Sequence, residues 1–91
     1  MSSAIHDNID DRRFELTVDG RIVFADYRRE PSSIVIFHVE APVPLRGTGA
    51  AGRLMEGIVE LARAENRELV PLCSYASAWM RRHKQEVGVS G

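Results

Sequence analysis

Apolar and polar residues alternate over the first third of the chain, which is the spacing typical of β-strands. The apolar side chains that set this alternation are Phe14, Leu16, Val18, Ile22 and Phe24. Between the two runs lies Asp19-Gly20, a pair that favours the tight type I′ turn of a hairpin. The pattern therefore predicts an antiparallel hairpin formed by residues 12–18 and 21–29.

Residues 33–40 are nearly continuously apolar and contain the β-branched run Ile34-Val35-Ile36. Such a run predicts a central strand that is covered on both faces. Pro42 and Pro44 end it, because proline has no N–H to donate to a neighbouring strand.

From Gly49 onward the apolar spacing becomes that of a helix, which we expect to end near Asn66. The stripe that should be buried consists of Leu54, Met55, Ile58, Val59, Leu61 and Ala62. Residues 68–72 then predict a short strand. Ser74 is the expected N-cap of a final helix that runs to about His83.

The order of these elements predicts an α+β domain, in which three antiparallel strands precede a helix, a strand and a helix. The central strand, the long helix and the next strand can form a βαβ unit, which gives a mixed α/β three-layer arrangement. We expect one domain over residues 11–86, a flexible N-terminal tail at 1–10 and a C-terminal tail at 87–91.

The composition is that of an ordinary water-soluble domain, with 91 residues, 44% apolar residues and 27% charged residues. A net charge of −1 offers no overall field that would attract nucleic acid or an anionic membrane. The single cysteine forms no internal disulfide, and neither a signal peptide nor a membrane span is visible. We expect a cytoplasmic protein without a metal, either a monomer or a weak homodimer paired through an open sheet edge.

Gly47, Gly49 and Gly52 lie between the predicted central strand and the long helix. Exposed backbone N–H groups and the positive end of a helix favour a phosphate there, and Arg46 adds a cation. The spacing of the glycines alone is compatible with two roles for this segment, an anion-binding loop or a flexible loop that binds nothing.

Two familiar phosphate motifs are set aside. A Walker loop needs a lysine and a hydroxyl residue after its last glycine, whereas Arg53-Leu54 follows here. The dinucleotide fingerprint matches by letter, and Glu68 lies at the distance of its acidic ribose ligand. Glu68, however, would begin a strand rather than end one, and the chain is too short for a doubly wound sheet.

The segment Arg46-Gly47-Thr48-Gly49-Ala50-Ala51 matches the R/Q-x-x-G-x-G/A signature of the GNAT superfamily of N-acetyltransferases. The wider sequence resembles the short, single-domain YjdJ-type branch of that superfamily. The blocks that carry this likeness are His38-Val39-Glu40-Ala41-Pro42, Leu45-Arg46-Gly47-Thr48-Gly49, Pro71-Leu72-Cys73 and Arg81-Arg82-His83.

The resemblance implies a GNAT-like fold and acetyl-coenzyme A as the acyl donor. Its diphosphate would lie on residues 46–51, with Gly52 supporting the start of the helix. The pantetheine arm would pair with Val39, Glu40 and Ala41 like an added strand, an arrangement that suits its amide groups. It would then reach the strand end at Cys73.

Three side chains are the candidates for catalysis. Cys73 should precede a helix N-terminus, a position that favours a reactive thiolate, and it could accept the acetyl group or only line the thioester pocket. The alternative is an inert, buried cysteine. His38 is the candidate general base, and Glu40 should share its face and either orient the imidazole or act as the base.

The final helix departs from larger GNAT enzymes, because Trp79 occupies the place where they often carry a tyrosine acid. Trp79 is expected to be a core residue, the direction of Tyr75 is open, and Arg81 and Arg82 are read as a solvated helix end. The expected function is acetyl transfer to an amine. A non-catalytic coenzyme A binder and a protein-interaction domain remain as alternatives.

Overall fold

The computed structural model describes residues 5–83, which form one mixed sheet and two helices. The strands are β1 (His6–Asn8), β2 (Arg13–Val18), β3 (Arg21–Arg29), β4 (Ser33–Glu40) and β5 (Glu68–Pro71), and the helices are α1 (Ala50–Ala64) and α2 (Ser74–Arg82). The strands lie in the order β1-β2-β3-β4-β5, with β4 and β5 parallel and all other neighbours antiparallel. The fold is therefore the expected α+β arrangement with a β4-α1-β5 crossover.

The hairpin between β2 and β3 forms as the sequence predicts. Val18 pairs with Arg21, so the loop contains only Asp19 and Gly20. Both loop residues have positive φ, 52° and 76°, as a type I′ turn requires. The turn thereby fixes the register that places Phe14 and Leu16 in the core.

The N-terminal tail expected over residues 1–10 is wrong at His6–Asn8, which forms β1 and pairs with β2. The Tyr27 hydroxyl donates a 2.5 Å hydrogen bond to Asp7 Oδ1 and ties this strand to β3. A three-residue strand of polar residues shows no hydrophobic alternation, so sequence pattern could not reveal it. Residues 1–4 and the C-terminal tail predicted at 87–91 lie outside the described residues.

Both helices contribute to a single hydrophobic cluster on one face of the sheet. The largest fully buried side chains in it are Phe14, Val23, Ile34, Ile36, Leu54, Met55 and Ile58. Trp79 of α2 is 3% exposed and lies beside Gly52 of α1, which confirms it as a core residue. On the opposite face Ile22 and Phe37 are 44% and 41% exposed. The sheet thus carries one helical layer rather than the two of a three-layer arrangement.

The apolar stripe of α1 is buried as expected, apart from a half-buried Leu61. The helix ends slightly earlier than Asn66, which takes a left-handed conformation with φ of 59° just after it. Arg67 N donates to Ala62 O and Asn66 N donates to Arg63 O, which is the Schellman pattern of helix termination. This stop lets the chain return directly into β5.

The N-cap of α2 is Cys73 and not Ser74, which is already the first helical residue. The Cys73 sulfur accepts a hydrogen bond from Ala76 N at 3.3 Å. Sulfur acts here as the side-chain acceptor that serine, threonine or aspartate more often supplies. The prediction was wrong by one residue because cysteine is not among the usual capping residues.

Strand β4 is covered on both faces only in its first half. Asp26 pairs with His38 while the next residue, Tyr27, pairs with Ile36, so β4 holds one extra residue, Phe37, opposite β3. Such a bulge inverts the alternation of side chains beyond it. Val39 consequently packs on the core side, whereas His38 and Glu40 are exposed on the helix-free face.

A polar network lies at the end of the sheet opposite to the bulge. Arg29 makes a bidentate ion pair with Glu65, with Nε–Oε1 at 2.9 Å and Nη2–Oε2 at 2.6 Å. Arg29 also contacts Asp7 at 3.1 Å, and Arg67 donates a further hydrogen bond to Glu65. The network joins β1, β3 and the end of α1. The hydrogen bond from Arg29 is the main cause that lowers the pKa of Glu65.

We expect the substitution Glu65→Gln to reduce the free energy of unfolding at pH 7 by about 1–2 kcal/mol, as loss of a charged hydrogen-bonded pair does. For a domain of this size that is a fall in Tm of roughly 5–15 °C. Because the folded state lowers the pKa of Glu65, its stabilisation is present above the ordinary value of 4.5 and is lost as the pH falls through the lower folded value.

Thermal denaturation at a series of pH values checks this. The difference in Tm between the original protein and Glu65→Gln should be largest at pH 7 and should disappear as the pH falls below 4.5. Glu60→Gln, at an exposed position of the same helix, is the matched control and should change Tm little at any pH. A difference in Tm that stayed constant in acid would contradict the conclusion that the ionised Glu65 carboxylate stabilises the fold.

Candidate active site

A cleft forms where β4 and β5 diverge. The two strands are paired from Ser33 with Glu68 to Ile36 with Pro71, and Leu72 N then donates to Ile36 O at 2.9 Å. Beyond this point β4 continues to Glu40, while the other chain segment turns into α2. Among the described residues, no strand lies beside the second half of β4 on that side. Its backbone edge is therefore open.

The cleft has a volume of about 610 Å³ and brings together most of the residues that the sequence singled out. Its lining consists of His38, Val39, Glu40, Ala41, Leu45, Arg46, Gly47, Gly49, Ala50, Ala51, Gly52 and Tyr75. Of the predicted site residues, Thr48 and Cys73 are not part of this lining. Leu45 and Tyr75 line the cleft as well and were not among the predicted site residues.

The glycine-rich loop has a backbone shape that other residues rarely adopt. Gly47 and Gly49 have φ of 79° and 86°, although a Cβ at either position would meet no atom within 4 Å. The glycines are therefore required by backbone conformation rather than by lack of space. Gly49 is also the N-cap of α1 and offers no side chain to the first turn.

Several backbone N–H groups at this loop have no acceptor among residues 5–83. They belong to Gly47, Gly49, Ala51 and Gly52. The first N–H groups of any helix lack partners within the helix, and the helix dipole makes this end positive. Such a set of donors fits an anion, and the diphosphate of a coenzyme is an anion of suitable size.

Thr48 has a structural position in the loop. Its hydroxyl donates to Leu45 O at 2.6 Å and accepts from Ala50 N at 3.3 Å. It therefore closes the turn between the preceding 3₁₀ segment Val43–Leu45 and α1, and satisfies one N–H group of the first helical turn. Its side chain is used within the protein and does not reach the cleft.

Arg46 connects the loop to the open strand edge. Its Nε donates to Ala41 O at 3.1 Å, and the side chain is largely exposed. No carboxylate of the described residues forms an ion pair with it. The terminal nitrogens of the guanidinium thus remain free to bind an anion beside the glycine loop.

His38 and Glu40 form a hydrogen-bonded pair at the mouth of the cleft. His38 Nε2 lies 2.9 Å from Glu40 Oε1, and both side chains are about half exposed. An ionised carboxylate only accepts hydrogen bonds, so the neutral imidazole that faces it carries its hydrogen on Nε2. Nδ1 is then the free acceptor, which is the arrangement a general base needs.

Cys73 lies next to this site rather than in it. Its half-buried sulfur is occupied as the cap of α2, and the side chain packs against the hydrophobic cluster. The sequence placed Cys73 correctly at the junction of strand and helix. It could not show that the thiol turns toward the first turn of α2.

Tyr75 lines the cleft from the first turn of α2. Its hydroxyl would lie 3.9 Å from a Cβ at Gly52, and Trp79 Nε1 would lie 3.5 Å from the same atom. Burial raises the pKa of Tyr75, against the nearby charge of Arg82. A signal for this placement was present in the sequence. Tyr75 precedes the core residue Trp79 by four positions, so the two must share a helix face.

Groups of three or more histidine, cysteine, aspartate or glutamate side chains that could hold a metal ion do not occur within residues 5–83. Neither described helix has the length and apolarity that crossing a membrane demands.

A family model described as GCN5-related N-acetyl-transferase matches residues 13–88, which is most of the chain. No curated protein matches it. The matched region begins at β2 and includes the divergent strands, the glycine loop and both helices described above. The chain therefore belongs to the GCN5-related N-acetyltransferase family.

Proposed function

We propose that this protein transfers the acetyl group of acetyl-coenzyme A to an amine. The observation that carries the proposal is the shared cleft, in which an open strand edge, a donor-rich loop and the His38–Glu40 pair meet. Membership of the family supports acyl transfer in general. The donor, the acceptor and the roles of individual residues are the proposed part.

The cofactor would be held at two places. The unpaired N–H groups around Gly47 and Gly49, together with Arg46, would bind its diphosphate. Its pantetheine amides would pair with the backbone of Val39–Ala41, where β4 has no neighbouring strand. When bound, acetyl-coenzyme A would supply a thioester whose carbonyl carbon accepts the amine.

His38 would then remove a proton from the incoming ammonium through Nδ1, while Nε2 keeps its hydrogen bond to Glu40. The free amine forms the new C–N bond, and the C–S bond breaks with the electron pair leaving on sulfur. The nitrogen then releases its second surplus proton to solvent, which leaves a neutral amide. Backbone N–H groups near Val39 would polarise the carbonyl during this step. Glu40 holds the imidazole and stabilises the cation that forms on it.

Tyr75 would face the leaving sulfur. Because burial raises the pKa of its hydroxyl, Tyr75 stays protonated through the neutral range. It can donate a hydrogen bond to the sulfur without giving up the proton. The leaving group therefore departs as a thiolate, and Trp79, buried in the core, is not needed as an acid.

Transfer through Cys73 is less well supported than direct attack. The Cys73 sulfur accepts from Ala76 N and does not line the cleft. A nucleophile must point at the reacting carbon, whereas this one points at the start of its own helix. We therefore propose direct attack by the amine, with Cys73 as a capping residue beside the thioester.

Acetyl-coenzyme A should raise the Tm of the protein, and NAD at the same concentration should not. At about 100 times its Kd, a ligand stabilises by roughly 2.7 kcal/mol, which corresponds here to about 10–20 °C. Arg46→Ala should weaken this binding about tenfold, as loss of a charged hydrogen bond does. Arg21→Ala, which removes a cation at the distant hairpin, is the control and should bind normally. An absent shift with acetyl-coenzyme A would refute the proposed donor.

His38→Ala should lower kcat about 100- to 10,000-fold, the usual contribution of a general base, while leaving the Tm shift by acetyl-coenzyme A intact. Steady-state rates and the Tm shift by acetyl-coenzyme A, measured on the same preparation, test both statements. Unchanged turnover would remove His38 from the mechanism and leave Glu40 as the candidate base.

Cys73→Ser should keep turnover within about twofold, because serine caps a helix at least as well as cysteine. Cys73→Ala should lose the cap and about 1 kcal/mol of stability, but it should also keep turnover. Intact-mass measurement after exposure to acetyl-coenzyme A should show no acetyl adduct on the thiol. An adduct that disappears in Cys73→Ser, together with a large loss of activity, would establish the covalent route instead.

A further inference from the structure

The helix-free face of the sheet carries two rows of side chains directly beside the cleft. Strand pairing aligns Arg13, Asp26 and His38 in one row. It aligns Glu15, Phe24 and Glu40 in the next row. The bulge in β4 creates this alignment, because without it His38 and Glu40 would turn to the core side.

Asp26 points away from the core. Its neighbours on β3, Ala25 and Tyr27, are 0% and 6% exposed on the core side, so the alternation of the strand directs Asp26 to the opposite face. His38 lies on that face as well, since its ring is 6.4 Å from the ring of Phe24. Directly paired residues of antiparallel strands have Cβ atoms about 5 Å apart, which makes Asp26 the immediate neighbour of His38.

The Asp26 carboxylate is half-buried and has no ion pair or hydrogen bond within residues 5–83. Arg13, the cation nearest in register, is directed elsewhere. Its guanidinium lies 4.2 Å above the Phe24 ring, and its Nε is 3.9 Å from Glu15. Asp26 is thus a negative charge without a partner, one residue pair from the proposed base.

We propose that Asp26 determines acceptor specificity, by binding a second ammonium group of a diamine whose first amine reacts at His38. The proposal rests on the acetyl transfer proposed above and names its substrate class. Asp26 and His38 are directly paired, so their Cβ atoms lie about 5 Å apart, and Asp26 and Glu40 are diagonal neighbours, which lie about 7–8 Å apart. A carbon chain of about four atoms separates two amines by a similar distance.

Charge explains why the second group should be a cation. The cofactor side of the cleft is positive, with Arg46 and the start of α1, whereas the acceptor side carries the carboxylates Asp26 and Glu40, and its nearest cation, Arg13, is held over an aromatic ring. Aliphatic amines are protonated at neutral pH, so a diamine arrives with two positive charges. Only the first loses protons: one passes to His38 Nδ1, and a second leaves to solvent as the C–N bond forms and the C–S bond breaks. The second keeps its proton and its contact with Asp26.

The test compares kcat/KM for 1,4-diaminobutane and for n-butylamine at saturating acetyl-coenzyme A. The two probes present the same reacting amine and chain length, and differ in the second ammonium group. We expect the original protein to prefer the diamine by about two- to fivefold, the effect of one partly exposed charge pair. Asp26→Asn should lower this ratio to near one.

Glu68→Gln is the matched control. It removes a carboxylate at the exposed start of β5, at the opposite end of β4 from His38, and should leave the ratio unchanged. Equal rates for the two amines in the original protein would overturn the proposal without any variant. An equal loss for both amines in Asp26→Asn would also overturn it, because that result indicates a structural role.

Binding without turnover separates this proposal from the function on which it rests. Titration of 1,4-diaminobutane into the protein with coenzyme A, followed by amide NMR shifts, should perturb Asp26 and His38 more strongly than n-butylamine does. If acetyl-coenzyme A is turned over but the diamine is not preferred, the acceptor assignment fails and acetyl transfer stands. If no thioester binds but the diamine still perturbs this face in an Asp26-dependent manner, the proposed donor fails and the diamine site stands.

Discussion

One additional residue in β4 determines how the rest of the site is arranged. Phe37 has no separate partner on β3, and from that point the strand presents its side chains to the opposite faces. The bulge moves the polar His38 and Glu40 away from the core and lets Val39 close the core in their place. Without it, a hydrogen-bonded imidazole and carboxylate would face apolar surroundings, where unpaired polar groups are costly. The position of the pair beside the cleft is therefore a consequence of strand geometry.

The start of α1 depends on a second backbone constraint. Gly47 and Gly49 take a left-handed conformation, which costs other residues about 1–2 kcal/mol. In return the chain turns sharply from the 3₁₀ segment into the helix and leaves its first N–H groups directed outward. Thr48 satisfies only one of them. The same backbone that builds the turn thus leaves a set of N–H donors beside Arg46, where the proposed function places the diphosphate.

Sequence reasoning succeeded where the information is local and failed where it depends on pairing. The Asp19-Gly20 turn, the buried stripe of α1 and the glycine loop follow from residue type and spacing, and the structure has all three. The continuous apolar run of β4 predicted two covered faces, because a bulge leaves no mark in the apolar pattern. Strand β1 could not be predicted, because its three residues are polar. They are held in the sheet by pairing with β2 and by the hydrogen bond between Asp7 and the Tyr27 hydroxyl. Tyr75 could have been found from its distance to Trp79 along the helix.

The small size of the domain changes what a bound cofactor does for the fold. A single helical layer covers one face of the sheet, and β4 ends with a backbone edge that has no neighbouring strand in the described part of the chain. A pantetheine arm paired with Val39–Ala41 would complete the sheet, and its diphosphate would satisfy donors that the loop leaves unpaired. Because these contacts would exist only in the folded state, binding of the proposed donor would stabilise the fold. The proposed donor site would thus be a part of the sheet and of the first helical turn, and the proposed acceptor site would lie on the helix-free face.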